Sequence, residues 1–335
     1  YARYLQEEKA AWKDISEERQ AEIVKKLMQQ VTGHYGDGRF QGSARIQGMS
    51  ARLEAICLRS IRTMTAQLIG SSFEPASFEV SFRDARNLEG TMLRMKNGEK
   101  LQIQGRIDRI DLCRQDQTVY VKIIDYKSGN TGFDLADVYH GLSLQLALYM
   151  SAALELEEKL SPGANIVPAG FLYERLQDPV VEEEDPSAAE QAILMQMRPD
   201  GMVNRDDTVL ALLDESMEYP GKSWKIPAGR TKRGDLEKTS KCASEEQLRM
   251  LGKYARLKME QGLNAVQDGN IWPSPAKWKN RTACDYCAYR DVCGFDEKLP
   301  GYAYRRLRKL ESNAFWYLAD QALQKGETDG TGMDE

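Results

Sequence analysis

The sequence predicts an α/β protein with a mixed central β-sheet flanked by helices. Apolar residues alternate along segments 73–82, 101–112 and 119–127, as they do in strands that bury one face. A strongly apolar helical segment over 133–156 is followed by a strand-like segment over 166–175, which is the pattern of a strand–helix–strand crossover. Because a crossover joins parallel strands and hairpins join antiparallel ones, the sheet is expected to contain both.

The composition is typical of a soluble globular protein. The 335 residues are 41% hydrophobic and 29% charged, enough for one large domain or two ordinary ones. No run approaches the roughly 18 consecutive apolar residues that cross a bilayer, and the first residues lack the apolar middle of a signal peptide. We therefore expect no membrane contact. The chain does not begin with Met, so we expect it to be a piece of a longer protein.

Helical spacing predicts two helices before the first strand. Apolar residues recur at helical intervals over 3–31 and again over 44–69, and glycine-containing turns follow both segments. We expect residues 1–72 to pack as helices against a core formed by residues 73–178.

Two neighbouring predicted strands end in charged side chains. The first carries Asp108, where its apolar phase changes, and we interpret this change as a bulge or a bend. The second is apolar on one face up to residue 123, and the same face continues to Asp125 and Lys127. A hairpin near residues 115–117 would join the strands. We expect the three charged groups to gather at one end of the pair.

Two carboxylates and a lysine in this arrangement predict phosphodiester hydrolysis. Carboxylate oxygens suit a hard divalent cation such as Mg²⁺, and a lysine in the same pocket could offset charge on a phosphate. The alternative is that Asp108 and Asp125 are merely polar ends of strands. Asp111 lies on the opposite strand face, so we expect it at the surface or in a salt bridge with Arg106 or Arg109.

The second half of the chain divides into three segments that differ in composition and in predicted structure. Residues 179–243 are polar and irregular, which predicts an insertion or a loop. Residues 244–325 are predicted to form C-terminal helices around a cysteine cluster, with helices over 244–266 and 304–323. The tail over 326–335 is rich in Gly, Asp and Glu and is predicted to be disordered.

Three of the six cysteines are close in sequence, as Cys284, Cys287 and Cys293. Their spacing is too short for two disulfides and predicts a metal or cluster site in a reducing compartment, the cytoplasm. Zinc is one option, because tetrahedral zinc sites also use Cys-x-x-Cys. Cys57 and Cys242 are further ligands by count alone, although a buried position in a helix also explains Cys57.

Nucleic-acid binding would depend on local basic patches, because the formal net charge is −5. Two stretches combine basic side chains with a tryptophan, which suits a path for a single strand; a solvated loop face is an equal alternative for the first stretch. The candidate contacts are Arg230, Lys232, Arg233, Lys279 and Arg281.

Three short motifs resemble those of a known nuclease family. They are Gly105-x-x-Asp108, Asp125-x-Lys127 and Gln145-x-x-x-Tyr149. Their order and spacing are similar to those of the RecB-family nuclease domain within the PD-(D/E)xK superfamily. With the downstream cysteines, the resemblance is greatest to the AddB-type subunits of bacterial helicase–nucleases and covers residues 75–300. It implies a restriction-endonuclease-like fold.

The resemblance implies a metal site in which Asp108 and Asp125 are ligands of Mg²⁺ and the Tyr126 carbonyl is a third. Glu79 stands where the family often has an acidic residue on the preceding strand. The family also has an upstream histidine ligand. His34 and His140 are not in the expected context, so this ligand is expected before the first residue of the chain.

The resemblance also implies roles for three other side chains. Lys127 would be the catalytic lysine. Gln145 and Tyr149 lie four residues apart, on one helical face, and would position the DNA or the site; simple helix packing is the alternative.

The implied activity is that of a Mg²⁺-dependent DNA exonuclease. It would act on single strands unwound by an AddA-like helicase–nuclease partner, in double-strand-break repair by recombination. A [4Fe-4S] cluster on Cys284, Cys287 and Cys293 is implied as well, with a fourth cysteine upstream of this chain. The competing hypothesis is a non-catalytic DNA-binding or scaffold module that docks a helicase.

Overall fold

The computed structural model describes residues 1–35, 40, 43–82, 88, 91–129, 131–278 and 281–330. Its helices are α1 (Ala2–Glu7), α2 (Glu17–His34), α3 (Ala44–Leu68), α4 (Leu135–Tyr139), α5 (Gln145–Leu160), α6 (Pro186–Gln196), α7 (Asp207–Leu213), α8 (Glu245–Gln267), α9 (Arg290–Cys293) and α10 (Ser312–Gly330). Its strands are β1 (Glu74–Ser81), β2 (Met92–Arg94), β3 (Lys100–Gln102), β4 (Arg106–Gln115), β5 (Thr118–Lys127), β6 (Asn165–Arg175), β7 (Asp200–Asn204), β8 (Gly221–Lys222), β9 (Gly229–Arg230), β10 (Cys242–Ala243), β11 (Ala276–Trp278), β12 (Arg281–Thr282) and β13 (Arg305–Arg306).

A mixed central sheet organises the described residues. Its strand order is β1-β4-β5-β6-β7-β10. The pairs β1–β4, β4–β5 and β6–β7 are antiparallel, whereas β5–β6 and β7–β10 are parallel. Helix α5 lies in the crossover between the parallel strands β5 and β6. The predicted α/β class with a mixed sheet is therefore confirmed.

Apolar side chains from helices cover both faces of this sheet. On one face, residues such as Ala147 of α5, Leu251 of α8 and Phe315 of α10 form a core with the sheet. On the other face, α7 contributes Leu210 to a second core. A third cluster, which includes Ile23, joins α1, α2 and α3 beside β1. The two middle strands are consequently buried on both sides.

Strands β4 and β5 form the predicted hairpin, with a turn at Asp116 and Gln117. Their pairing runs from Arg109↔Ile124 to Gln115↔Thr118 without a shift in register. The bulge predicted at Asp108 is wrong, because β4 keeps one register with β1 on either side of that residue; the β4–β5 ladder ends at Arg109, next to Asp108. The apolar phase changes because helices cover both faces of the strand, so the pattern of a one-sided strand does not apply.

Two predicted helices are each divided in the structure. The segment over 3–31 consists of α1, a short 3₁₀ turn and α2, and Ser16 caps the start of α2 by accepting a hydrogen bond from the Arg19 N–H. The segment over 133–156 consists of α4 and α5, separated by residues 140–144.

The segment over 179–243 is not the predicted polar loop. It contains α6, α7 and four short strands, and two of these, β7 and β10, belong to the central sheet. Met202 and Val203 of β7 are buried in the two cores. The segment is therefore part of the fold.

One of the two predicted C-terminal helices matches its span, and the other, predicted over 304–323, differs at both ends. Helix α8 matches its predicted span, and its Ser244–Gln247 capping box is complete. Helix α10 begins at Ser312 and continues to Gly330, past residue 326, where we predicted the tail to begin. Residues 331–335 of that tail lie outside the described residues.

Candidate active site

The two aspartates of the predicted site meet at the end of the β4–β5 ladder. Asp108 lies one position beyond the last paired residue, Arg109, and its Oδ2 accepts a 2.9 Å hydrogen bond from the Tyr126 backbone N–H. Asp125 precedes Tyr126 and is only 2% exposed. The hairpin thus places one half-buried and one buried carboxylate side by side, as the sequence predicted.

Lys127 and Gln145 complete a hydrogen-bonded group around Asp125. Gln145 Nε2 donates a 2.8 Å hydrogen bond to Asp125 Oδ1, and Lys127 Nζ donates a 3.2 Å hydrogen bond to Gln145 Oε1. The Lys127 ammonium also forms an ion pair with Asp125 Oδ2. Because Gln145 is the first residue of α5, the start of this helix is bound directly to the end of β5.

Burial makes the Asp125 carboxylate unusually hard to ionise. Removal of water is the largest influence and raises its pKa, and the neighbouring Asp108 carboxylate raises it further. The Lys127 ammonium opposes both effects. A carboxylate with a raised pKa beside a second carboxylate is a place where an added cation is stabilised.

Tyr149 lies one helical turn after Gln145 and packs next to the first residue of β4. Its ring packs edge-to-face on Phe82, with 5.4 Å between ring centroids, and its hydroxyl is 3.5 Å from the Arg106 backbone nitrogen. Gly105 fits between these rings because it has no Cβ; an added Cβ would lie 2.7 Å from Phe82 Cε2 and 3.2 Å from Tyr149 Cε1. The first motif therefore requires glycine for close packing.

Glu79 approaches the site from β1 but is already paired. Its φ angle is +54°, and its Oε2 lies 2.6 Å from Arg106 Nη1. Glu79 and Asp108 share the wall of a mostly apolar cavity of about 490 Å³, whose other walls include Trp12 and Met64. The structure thus places Glu79 near Asp108.

Of the two positions expected for Asp111, at the surface or in a salt bridge, the structure shows the salt bridge, and the residue is buried. The Arg109 guanidinium binds its carboxylate in a bidentate manner at 2.5 and 2.7 Å, and Lys122 Nζ is 3.0 Å away. All three residues are at most 7% exposed. The predicted partner Arg109 is correct, and Lys122 is a second cation that faces the same carboxylate.

The site fits Mg²⁺ by its donor set. Asp108 and Asp125 supply carboxylate oxygens, which Mg²⁺ prefers, and this ion keeps several waters and needs only one or two carboxylates. Asp125 Oδ2 is buried and forms an ion pair with Lys127, so a metal ion bound there would share this oxygen with the ammonium. The two aspartates and the Tyr126 carbonyl are the residues that could hold the ion.

The three clustered cysteines do not converge on one point in the structure. Cys284 is half-buried, Cys287 and Cys293 are exposed, and all are free thiols. In the described ranges of the chain, no three His, Cys, Asp or Glu side chains form a group that could hold a metal ion. As placed, these thiols do not fit a cluster.

The basic residues predicted to contact DNA have different surroundings. The Arg230 guanidinium is engaged locally, by the Met217 and Gly234 carbonyls and by Asp207. Lys232, Arg233 and Arg281 are exposed, and Lys279 lies outside the described residues.

Sequence reasoning missed Tyr173, which lies directly beside Asp125 on β6. The two residues are register partners in the parallel ladder, and Lys127 Nζ is 5.2 Å from the centroid of the Tyr173 ring. The predicted strand over 166–175 contained this tyrosine. Its place beside Asp125 depends on the register between β5 and β6, which local patterning does not specify.

Comparison with known proteins gives one family and several relatives. A model of the PD-(D/E)XK nuclease superfamily matches residues 2–294. The chain is 36% identical, over its whole length, to an ATP-dependent helicase/deoxyribonuclease subunit of Lachnoclostridium phytofermentans, and 33% identical, over 96% of its length, to the subunit with the same name from Ruminiclostridium cellulolyticum. It spans 29% and 28% of these relatives, respectively. Within the described ranges, no helix has the length and apolarity of a membrane span.

Proposed function

Because the chain belongs to the PD-(D/E)XK nuclease superfamily, we propose that it is the Mg²⁺-dependent DNA-hydrolysing part of a helicase–nuclease. The observation that carries this proposal is the hydrogen-bonded group of Asp125, Lys127 and Gln145, with Asp108 tied to it through the Tyr126 backbone. The group brings together two carboxylates, a cation and an amide at the end of one hairpin, which is the equipment for phosphodiester hydrolysis.

Asp108, Asp125 and the Tyr126 carbonyl would hold the metal ion. When bound, Mg²⁺ supplies Lewis-acid stabilisation of the charge that develops on the phosphate. Lys127 contributes a second positive charge at Nζ, which forms an ion pair with Asp125. Gln145 fixes this ammonium by accepting its hydrogen bond, and so sets where Lys127 can meet a phosphate oxygen.

The relatives suggest the substrate and the setting. Their name describes a helicase/deoxyribonuclease subunit, so we propose an exonuclease that acts on single strands of DNA, unwound with an AddA-like partner, in double-strand-break repair. Six free cysteine thiols support a reducing compartment, the cytoplasm.

For the three clustered cysteines we propose a [4Fe-4S] cluster, with zinc as the alternative, on donor chemistry alone. Thiolates at Cys284, Cys287 and Cys293 supply soft ligands for either metal, but their present positions require the segment to rearrange. The absorbance spectrum and metal content of anaerobically purified full-length protein separate the options. Stoichiometric zinc without visible absorbance would exclude the cluster.

The test of the proposed function compares variants of the full-length protein in its complex. Wild type should cleave single-stranded DNA only with Mg²⁺, and Lys127→Ala and Asp125→Ala should each lose cleavage but keep DNA binding. Lys309→Ala, at an 80% exposed side chain, is the matched control and should cleave normally. Binding without cleavage by wild type would favour the scaffold hypothesis. Full cleavage by Asp125→Ala would refute the site.

A further inference from the structure

A buried tyrosine lies beside the Lys127 ammonium, on the side of β5 away from Asp108. Tyr173 is 3% exposed and pairs in register with Asp125 on one side and with Asp200 of β7 on the other. Its ring centroid is 5.2 Å from Lys127 Nζ, which is a cation–π distance. Among the described residues, the ammonium therefore contacts a carboxylate, an amide oxygen and an aromatic face.

The Tyr173 ring is held in this position from both ends. Its backbone lies in the middle of the sheet, between β5 and β7. Its hydroxyl is 3.5 Å from Ser143 Oγ, in the short connection that leads into α5 and Gln145. Thus the connection that presents Gln145 to Lys127 also contacts the tyrosine that packs against Lys127.

The Lys127 side chain needs such restraint. A lysine has a flexible four-carbon stem, and that of Lys127 is 26% exposed. Asp125 and Gln145 fix the direction in which the ammonium donates hydrogen bonds. An aromatic face beside the ammonium excludes conformers in which the lysine swings into solvent.

We propose that Tyr173 is a positioning residue for Lys127, and that the contact acts through the ring rather than the hydroxyl. This inference rests on the proposed nuclease function for its kinetic consequence, but the restraint itself is a property of the protein alone. The competing explanation is that Tyr173 is an ordinary core residue, since its ring also packs within the core on the α5 face.

The two explanations predict different results for Tyr173→Phe and Tyr173→Leu in the full-length protein and its complex. Tyr173→Phe keeps the ring and should rescue wild-type behaviour. Tyr173→Leu stays apolar but removes the ring, and should lower kcat about 3- to 30-fold while KM for single-stranded DNA stays within about twofold. Equal kcat for Leu and Phe variants would overturn the proposal.

A second readout does not depend on nuclease activity. Acetylation of Lys127 by an N-hydroxysuccinimide ester, followed by mass spectrometry relative to Lys309, measures how freely the ammonium is reached. Tyr173→Leu should raise this ratio about threefold or more, and Tyr173→Phe should leave it unchanged. An unchanged ratio in the Leu variant would refute the restraint, even if wild type proves not to cleave DNA.

Two further variants serve as controls, one for misfolding and one for specificity. Tyr173→Met fills the space with a flexible apolar chain, and it replaces the Leu variant if the latter has a lowered Tm. Tyr304→Leu removes a ring that packs 4.9 Å from another lysine, Lys277, outside the central sheet. Tyr304→Leu should alter neither kcat nor the acetylation of Lys127. If it changed them as much as Tyr173→Leu does, the response would not be specific to the site.

Discussion

Gln145 Nε2 donates a 2.8 Å hydrogen bond to Asp125 Oδ1, across the junction between α5 and β5. The other end of the same amide accepts a hydrogen bond from Lys127. A glutamine amide has one donor end and one acceptor end, so its orientation is fixed by these two opposite partners. One side chain therefore sets the distance between a buried carboxylate and the ammonium that neutralises it.

Gln145→Ala should lower the rate of DNA cleavage by about 100-fold in the full-length complex, because loss of the amide releases Lys127 from its position. Single-turnover kinetics at saturating DNA measure this change. Gln29→Ala, at an exposed position on α2, is the control and should be silent. A Gln145→Ala rate within about twofold of wild type would show that the amide has no positioning role.

Asp111→Asn should destabilise the protein by about 3–5 kcal/mol, because it leaves Arg109 and Lys122 buried without a counter-charge. Asparagine has nearly the same shape, so the loss would be electrostatic. Thermal and denaturant unfolding measure the free energy of unfolding. Asp116→Asn is the matched control: Asp116 is exposed in the hairpin turn with φ +49°, a conformation that asparagine tolerates, and its change should be small.

Local sequence patterns predicted the longer elements that are either amphipathic or apolar throughout. The span 44–69 matches the amphipathic helix α3, and the span 166–175 matches β6, which is buried on both faces, each to within one residue. The same patterns failed for β7 and β10. These strands have five and two residues, and they join the sheet through pairing with distant strands, which local patterning does not encode.

The site residues likewise divide into those that local patterns predict and those that depend on strand register. The grouping of Asp108 with Asp125 and Lys127 followed from strand alternation and one hairpin, so the sequence was sufficient to predict it. Tyr173 and the buried Arg109–Asp111–Lys122 network depend on strand register and on which helices cover each face. The charged residues of that network resemble surface residues in sequence, and their ion pairs with one another offset part of the cost of burial.

Glu174→Gln should abolish the loss of stability that wild type undergoes as the pH rises from 5 to 8. Burial, partly offset by the Gln67 hydrogen bond and by Arg109 and Lys122, raises the pKa of Glu174 from 4.5 to about 7. The folded state therefore keeps a proton that the unfolded state releases in this window, so stability is full below about pH 4.5 and falls as pH rises to about 7, by up to about 3 kcal/mol.

Unfolding free energies of wild type and Glu174→Gln at pH 5 and pH 8 check this sign. At pH 8 the variant should have a higher free energy of unfolding than wild type, because glutamine keeps the contact with Gln67 without a charge to bury. Glu218→Gln, at an exposed glutamate, serves as the control and should not change the difference between the two pH values. A variant that loses stability at pH 8 would mean that Glu174 is ionised and stabilising there.

Gly105→Ala should impair both stability and cleavage, because a methyl group at this position meets Phe82 and Tyr149. Overpacking of this kind costs about 1–3 kcal/mol and forces one of the two rings to move. Since Tyr149 shares helix α5 with Gln145, a displaced ring should also slow cleavage. Gly48→Ala is the matched control: nothing lies within 4 Å of an added Cβ, and alanine favours helix α3 by about 0.5–1 kcal/mol. If Gly105→Ala were as stable and as active as wild type, the close packing of the first motif against α5 would be wrong.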